Sequence, residues 1–309
     1  MSVQKGLSLR ARQLRAVPDS LRNLSALEEL NLDQNLLTSL PEWIGELSEL
    51  RSLSLYSNRL TSLPDSLWQL THLRKLNLAD NQLNSLPERI GELSNLEMLD
   101  LGHNELTSMP EAIGDLRRLT FLYLSNNHLT SVPESLGDLG NLIYLNITDN
   151  QLASLPDGIG NLTSLIELRL YNNSLASLPA ALGNLEKLKE LHLKNNRLES
   201  LPEKIGRLTN LRKLVLRDNQ LAWLPGSLGD LVSLTDLDLR NNRLRSLPES
   251  LGDLRNLRYL DSRANELVQL PASLGRLPNL EKLDLRWNRL ATRPECVPQL
   301  EQRGCTVFL

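Results

Sequence analysis

A proline recurs every 23 residues from Pro18 to Pro294 without a slip, and thirteen such units account for 299 of the 309 residues. A unit that short cannot bury a core alone, so its apolar side chains must be covered by the units on either side. The leucines keep the same offsets in every unit, as in LEELNLDQNLLTSLPEWIGEL over residues 27–47. Only 4% of residues are aromatic, which leaves leucine to fill the interior.

The offsets read Leu-x-x-Leu-x-Leu-x-x-Asn-x-Leu, followed by Leu-Pro-x-x-Ile/Leu-Gly-x-Leu, with an asparagine in register from Asn35 to Asn288. Leu30 and Leu32 are two apart and so share one face of a short strand. Repetition predicts a parallel sheet built of one strand per unit. Each asparagine falls where the chain turns inward, and its amide is suited to backbone groups that would otherwise be buried unpaired. Proline suits the start of a short helical or extended segment on the opposite side. Glycines such as Gly45, Gly91 and Gly114 allow the chain to turn where space is short. Strands pack more narrowly than the segments opposite them, so the stack is expected to curve with its sheet on the concave side.

The end units depart from the pattern as caps should. In residues 1–26, Gln4 and Arg12 stand where a leucine and the asparagine are expected. In residues 291–309, Thr306 and Phe308 replace strand leucines of a final strand. One internal departure, Ser262, puts a hydroxyl in a core position and predicts a weak point or a bonded hydroxyl. The whole chain, 1–309, reads as a single domain.

This pattern resembles the leucine-rich repeat proteins. The 23-residue form is similar to the Ras-group repeats of plants, to Scribble and Erbin, and to bacterial cytoplasmic leucine-rich repeat proteins, whose C-terminal ends LEKLDLRWNRL and the RGC strand resemble most. The resemblance implies an α/β solenoid of horseshoe form that binds protein, and it raises a Ras-like small GTPase as one partner. The matching residues are structural, so no partner transfers with them.

Composition narrows the functional classes. No run approaches the roughly 18 apolar residues of a membrane span, and the opening MSVQKGLSLRARQL lacks the apolar stretch of a secretion signal, so a cytoplasmic protein is expected. Cys296 and Cys305 are too few for a disulfide framework and read as free thiols. The sequons at Asn23, Asn146, Asn161 and Asn172 read as chance products of an Asn-, Ser- and Thr-rich repeat. Residues 1–160 carry 12 Lys/Arg against 20 Asp/Glu, and residues 161–309 carry 22 against 17, a polarity within a net charge of only −3. His72, His103, His128 and His192 are scattered, and only His103 and His128 fall in adjacent units. With no phosphate loop and no nucleophile elbow, neither an enzyme, a metal site nor a cofactor is expected.

Binding is better supported, because residues alternating with the strand leucines must project from the open face of the sheet. All five tyrosines lie in these columns. Phe121, Tyr123 and Tyr144 occupy neighbouring units, with Met98 beside them and Tyr56 and Tyr171 further along. Such a group is either a set of interface anchors or cross-strand pairs that brace the sheet. A second column holds Lys194, Arg217, Arg240, Arg263 and Arg286, with Asp238, Asp261 and Asp284 beside three of the rungs. It is either a self-neutralised ladder or a surface for an acidic partner. Trp43, Trp68 and Trp223 are assigned to the outer side, and Trp287 extends the binding face. The expected function is non-catalytic binding of a protein or peptide on the concave face by a monomer. The alternatives are a small-GTPase scaffold and a carbohydrate or peptidoglycan receptor; negative net charge argues against nucleic acid.

Overall fold

The computed structural model describes residues 5–309, so Gln4 lies outside the described residues. The chain forms two compact units that meet in sequence at Asn150 and Gln151. The first holds seven three-residue strands: β1 (Gly6–Ser8), β2 (Glu29–Asn31), β3 (Ser52–Ser54), β4 (Lys75–Asn77), β5 (Met98–Asp100), β6 (Phe121–Tyr123) and β7 (Tyr144–Asn146). Each pairs in parallel with the next, and the register holds Leu30 to Leu53 and Leu53 to Leu76. The second unit repeats the plan with β8 (Glu167–Arg169), β9 (Glu190–His192), β10 (Lys213–Val215), β11 (Asp236–Asp238), β12 (Tyr259–Asp261), β13 (Lys282–Asp284) and β14 (Thr306–Phe308). Helix α1 (Cys296–Gln302) precedes the last strand. The expected leucine-rich-repeat architecture is present in both units.

Pro294 precedes α1, whereas each of the twelve repeat prolines from Pro18 to Pro271 is extended, with φ between −61° and −78°, and leads into a five-residue 3-10 turn. Its carbonyl accepts the first N–H of the turn, as Ile44 N–H donates to Pro41 at 3.0 Å. The lost N–H of proline therefore costs nothing at that position. Strand leucines such as Leu30, Leu32, Leu53 and Leu55 are buried, and each is worth roughly 1.5–3 kcal/mol.

Asparagine performs the structural task expected of it. Asn104 Nδ2 donates to Leu78 O at 3.0 Å, one unit back, and to Leu101 O at 3.1 Å, while its Oδ1 accepts Leu83 N–H at 3.0 Å. Asn219 makes the same contacts with Leu193, Leu216 and Leu198. The residue before each asparagine has φ between +51° and +63° from Gln34 to Trp287, and none is glycine. A second row of asparagines, not foreseen from the sequence, follows the 3-10 turns. Asn95, Asn141, Asn210, Asn256 and Asn279 each donate to a carbonyl 24 residues back at 2.7–2.8 Å.

The turn glycines act by proximity, since none of them has a positive φ and only Gly304 does. A Cβ on Gly160 would stand 2.4 Å from the Ala181 carbonyl oxygen of the next turn. Trp68 occupies this glycine position in its own unit. It is completely buried, not a cover of the outer surface as expected, because side chains at this position point toward the following turn. Its indole N–H has no hydrogen-bond partner, and neither does the hydroxyl of fully buried Ser262, so the expectation of a bonded hydroxyl there is not met. Trp43 donates its indole N–H to Asp19 at 3.1 Å, and Trp223 is exposed.

Candidate functional site

The open face of each sheet carries the side chains that alternate with the buried leucines. The first two columns stand out from the strands as expected, except that Asp284 at the end of the second is fully buried. The third does not fully: Asp33, Ala79, Gly102 and Thr148 in that column are buried. Backbone at this column has already begun the inward turn that ends at the left-handed residue, so small side chains sink and long ones expose only their tips.

In the first unit the aromatic group is assembled as expected. Phe121 is 39% exposed on β6, in register with Met98 on β5 and Tyr144 on β7. Tyr123 and Tyr144, expected with rings in solvent, are half-buried because they pack on one another, with centroids 5.1 Å apart and planes tilted by 41°. A tilted pair at that separation is worth roughly 0.5–1.5 kcal/mol beyond its burial. The tyrosine pair thus braces neighbouring strands, while Phe121 beside it stays accessible to solvent. Tyr56 is separately exposed on the same face at 38%. Tyr171 lies half-buried in the second unit.

The basic column in the second unit is heavily neutralised. Arg240 clamps Asp238 through Nε and Nη2 at 2.8 and 2.7 Å, and Arg263 and Arg286 clamp Asp261 and Asp284 in the same way. Arg240 and Arg263 also reach the carboxylate of the next strand, Asp261 and Asp284, at 3.5 Å. Burial alone pushes the Asp284 carboxyl up, yet hydrogen bonds from Arg286 and the nearby charges hold it below its ordinary value. Arg217 lacks a same-strand aspartate because Val215 stands there; its buried Nε makes no hydrogen bond, but it lies 3.9 Å from the carboxylates of both Asp218 and Asp238. Lys194 is half-buried at the start of the column.

Trp287 is 71% exposed in a left-handed conformation. A bulky residue there carries backbone strain. The Arg286 and Arg263 guanidinium groups lie 5.6 and 6.0 Å from its ring, and Phe308 receives Arg286 at 5.1 Å and Lys282 at 5.3 Å. Thr306 and Phe308, expected in place of strand leucines, instead continue the open-face columns. The register pairs them with Lys282 and Asp284 and sets Val307 against Leu283, one residue beyond the 23-residue step, so the aromatic edge at β14 was not foreseen beyond Trp287.

His103 and His128 join no metal-ligating group among the described residues; the group that does form contains Glu167, Glu190 and His192. Burial lowers the His192 pKa, against the opposing pull of the Glu190 carboxylate, which accepts a hydrogen bond from its Nε2 at 2.9 Å. Both cysteines are buried and free, and burial pushes the Cys305 thiol up to about 11. No helix among the described residues is long and apolar enough to cross a membrane.

Two family models match the chain, a leucine-rich repeat region over residues 61–143, 129–219 and 199–303, and a leucine rich repeat over residues 5–60 and 27–83. The chain belongs to the leucine-rich repeat family. Among solved structures it is similar to a leucine-rich repeat protein of Leptospira interrogans, at 34% identity and a TM-score of 0.85, covering 96% of this chain and 82% of that one. It is also similar to the plant peptide hormone receptor RGFR1 in complex with RGF2, at 30% identity and a TM-score of 0.82, covering 99% of this chain and 55% of that one. A third is the ectodomain of the Arabidopsis receptor kinase HAESA in complex with an IDA peptide hormone, at 33% identity and a TM-score of 0.72, covering 92% and 49%. The chain thus spans about half the length of the two plant receptor chains. No curated protein matches it.

Proposed function

We propose that this chain is a non-catalytic binding module that takes a protein or peptide on the open face of its first sheet, with Phe121, Tyr123, Tyr144 and Met98 as the anchors. The observation that carries the reading is the exposure of Phe121 beside a packed tyrosine pair. Rigid aromatic side chains already ordered by their neighbours lose little freedom on binding. Two related receptors are solved with peptide hormones bound, which is consistent with a face used in this way. Membership of the family supports protein binding in general. The arginine column has a lesser part here, because its charges, including that of Arg217, are met by aspartates.

The test compares wild type with the triple variant Phe121→Ala, Tyr123→Ala, Tyr144→Ala in recovery from a native lysate, followed by affinity measurement with the recovered protein. Loss of a buried aromatic anchor commonly costs about 2 kcal/mol or more, roughly thirtyfold in affinity. Equal affinity of the folded variant would exclude this face.

A further inference from the structure

We propose that Glu167, Glu190 and His192 form a binding site for a divalent transition-metal ion, with zinc as the best chemical match. The register of β8 with β9 sets Glu167 opposite Glu190 and Arg169 opposite His192. Two carboxylates directly opposite on neighbouring strands repel one another and destabilise the pairing. In the arginine column the same problem is solved by a guanidinium that clamps both oxygens of each aspartate. Here Arg169 meets Glu167, and the imidazole of His192 faces both carboxylates.

The three side chains bring their donor atoms within coordination range of a common point. His192 Nε2 lies 2.9 Å from Glu190 Oε2 and 3.9 Å from Glu167 Oε1, and the three donor atoms all lie within 4.8 Å of one another. Zinc bonds of about 2.0–2.2 Å in a tetrahedron place ligand atoms roughly 3.3–3.6 Å apart, between the two separations found. One nitrogen and two carboxylate oxygens suit zinc better than magnesium or calcium, which favour all-oxygen sets. The donors sit on strands, so their backbones are fixed. Side-chain exposures of 14% for His192, 21% for Glu167 and 40% for Glu190 put the ion at the surface of the sheet. Three protein ligands leave the fourth position to water. Coordination through Nε2 requires the proton of the neutral ring to reside on Nδ1, and it displaces the present hydrogen bond to Glu190.

Two cations oppose this ion. Arg169 Nε meets the same Glu167 Oε1, and Lys213 stands opposite Glu190 in the register of β9 with β10. Arg169 must therefore yield that oxygen when the ion enters, and its side chain, 37% exposed, has solvent to swing into. This competition supplies a test that adventitious binding at the surface cannot imitate.

Isothermal titration of the intact, chelator-treated chain with zinc chloride is expected to give about one ion per chain. Glu190→Gln and His192→Gln should each weaken binding by more than about tenfold, since each removes a direct ligand. Arg169→Gln should strengthen it several-fold by freeing Glu167, and His103→Gln should leave it unchanged. Circular dichroism confirms that each variant is folded. No binding by wild type, binding that Glu190→Gln and His192→Gln leave intact, or no gain in Arg169→Gln overturns the assignment.

Discussion

Replacing Asn104 by alanine removes one amide from the interior of the first unit, and the consequence can be worked out bond by bond. The carbonyl of Leu78 loses Asn104 Nδ2 but keeps Asn81 Nδ2 at 3.0 Å. The carbonyl of Leu101 likewise keeps Asn127 Nδ2 at 3.0 Å, and Gly102 O keeps Asp80 N–H at 2.9 Å. Each carbonyl is shared between successive asparagines, so none is left bare. The N–H of Leu83 has no such reserve, because its acceptor is Asn104 Oδ1. One orphaned buried N–H costs about 1–3 kcal/mol, whereas orphaning all of the groups involved would cost several times that. Asn104→Ala is therefore expected to lose about 1–3 kcal/mol, measured by urea unfolding followed by circular dichroism. Because repeat arrays can unfold piecewise, amide exchange at Leu83 is the companion measurement, and its protection should fall selectively. Asn104→Asp keeps the acceptor yet turns an anion toward the same carbonyls, so at neutral pH it should be at least as harmful as alanine. An unchanged midpoint with full protection at Leu83, or a loss well above about 4 kcal/mol, would refute the shared-acceptor account.

Three further outcomes are expected. Arg286→Gln leaves the buried carboxylate of Asp284 short of its main partner and should destabilise the fold at neutral pH. Since the folded pKa of Asp284 lies below its unfolded value, the stabilisation is present above about pH 4 and is lost as pH falls through the folded value; denaturation midpoints of the variant should therefore flatten on the acid side. Gly160→Ala forces a Cβ to within 2.4 Å of the Ala181 carbonyl and should cost about 1–3 kcal/mol, while Gly226→Ala, which meets nothing within 4 Å, should be neutral or slightly stabilising in the same melts. Cys296 and Cys305 should resist alkylation in the native protein and react fully in denaturant, as mass spectrometry would report, because burial hinders both access and ionisation.

Much of the fold is legible because a 23-residue period states the same constraint many times. Leucine spacing places the strands, and the asparagine in register announces the hydrogen-bonded row that Asn104 and Asn219 exemplify. The second row, from Asn95 to Asn279, escapes notice because His72, Arg118 and Lys187 interrupt it, so no single offset is uniformly asparagine. Trp68 is misread for a related reason: as an aromatic on an outer turn it suggests a surface cover, and only the contacts of Gly45 and Gly160 reveal that its position points inward. At the candidate site, alternation identifies which residues project but not how far. Asp33 and Thr148 sink because of the turn that follows them, and Tyr123 and Tyr144 meet because parallel register brings their columns together. Glu167, Glu190 and His192 were visible as neighbours in two adjacent columns. They go unrecognised when histidines are compared with histidines rather than with the carboxylates beside them.

Within each unit the ladder asparagines reach to positions 26 and 21 residues back, as Asn81 and Asn104 both do. That arithmetic makes length a quantised property. Removing 23 residues from the interior of either unit hands each remaining amide an equivalent carbonyl and an equivalent N–H, at the price of one strand, about 4.8 Å of sheet. Removing 22 or 24 instead inverts the alternation of the strand at the junction, turning its leucines toward water and its polar residues toward the core. Shortening or lengthening such a chain without remodelling its interior is thus restricted to whole steps, and the reach of its open face can be set like the rungs of a ruler.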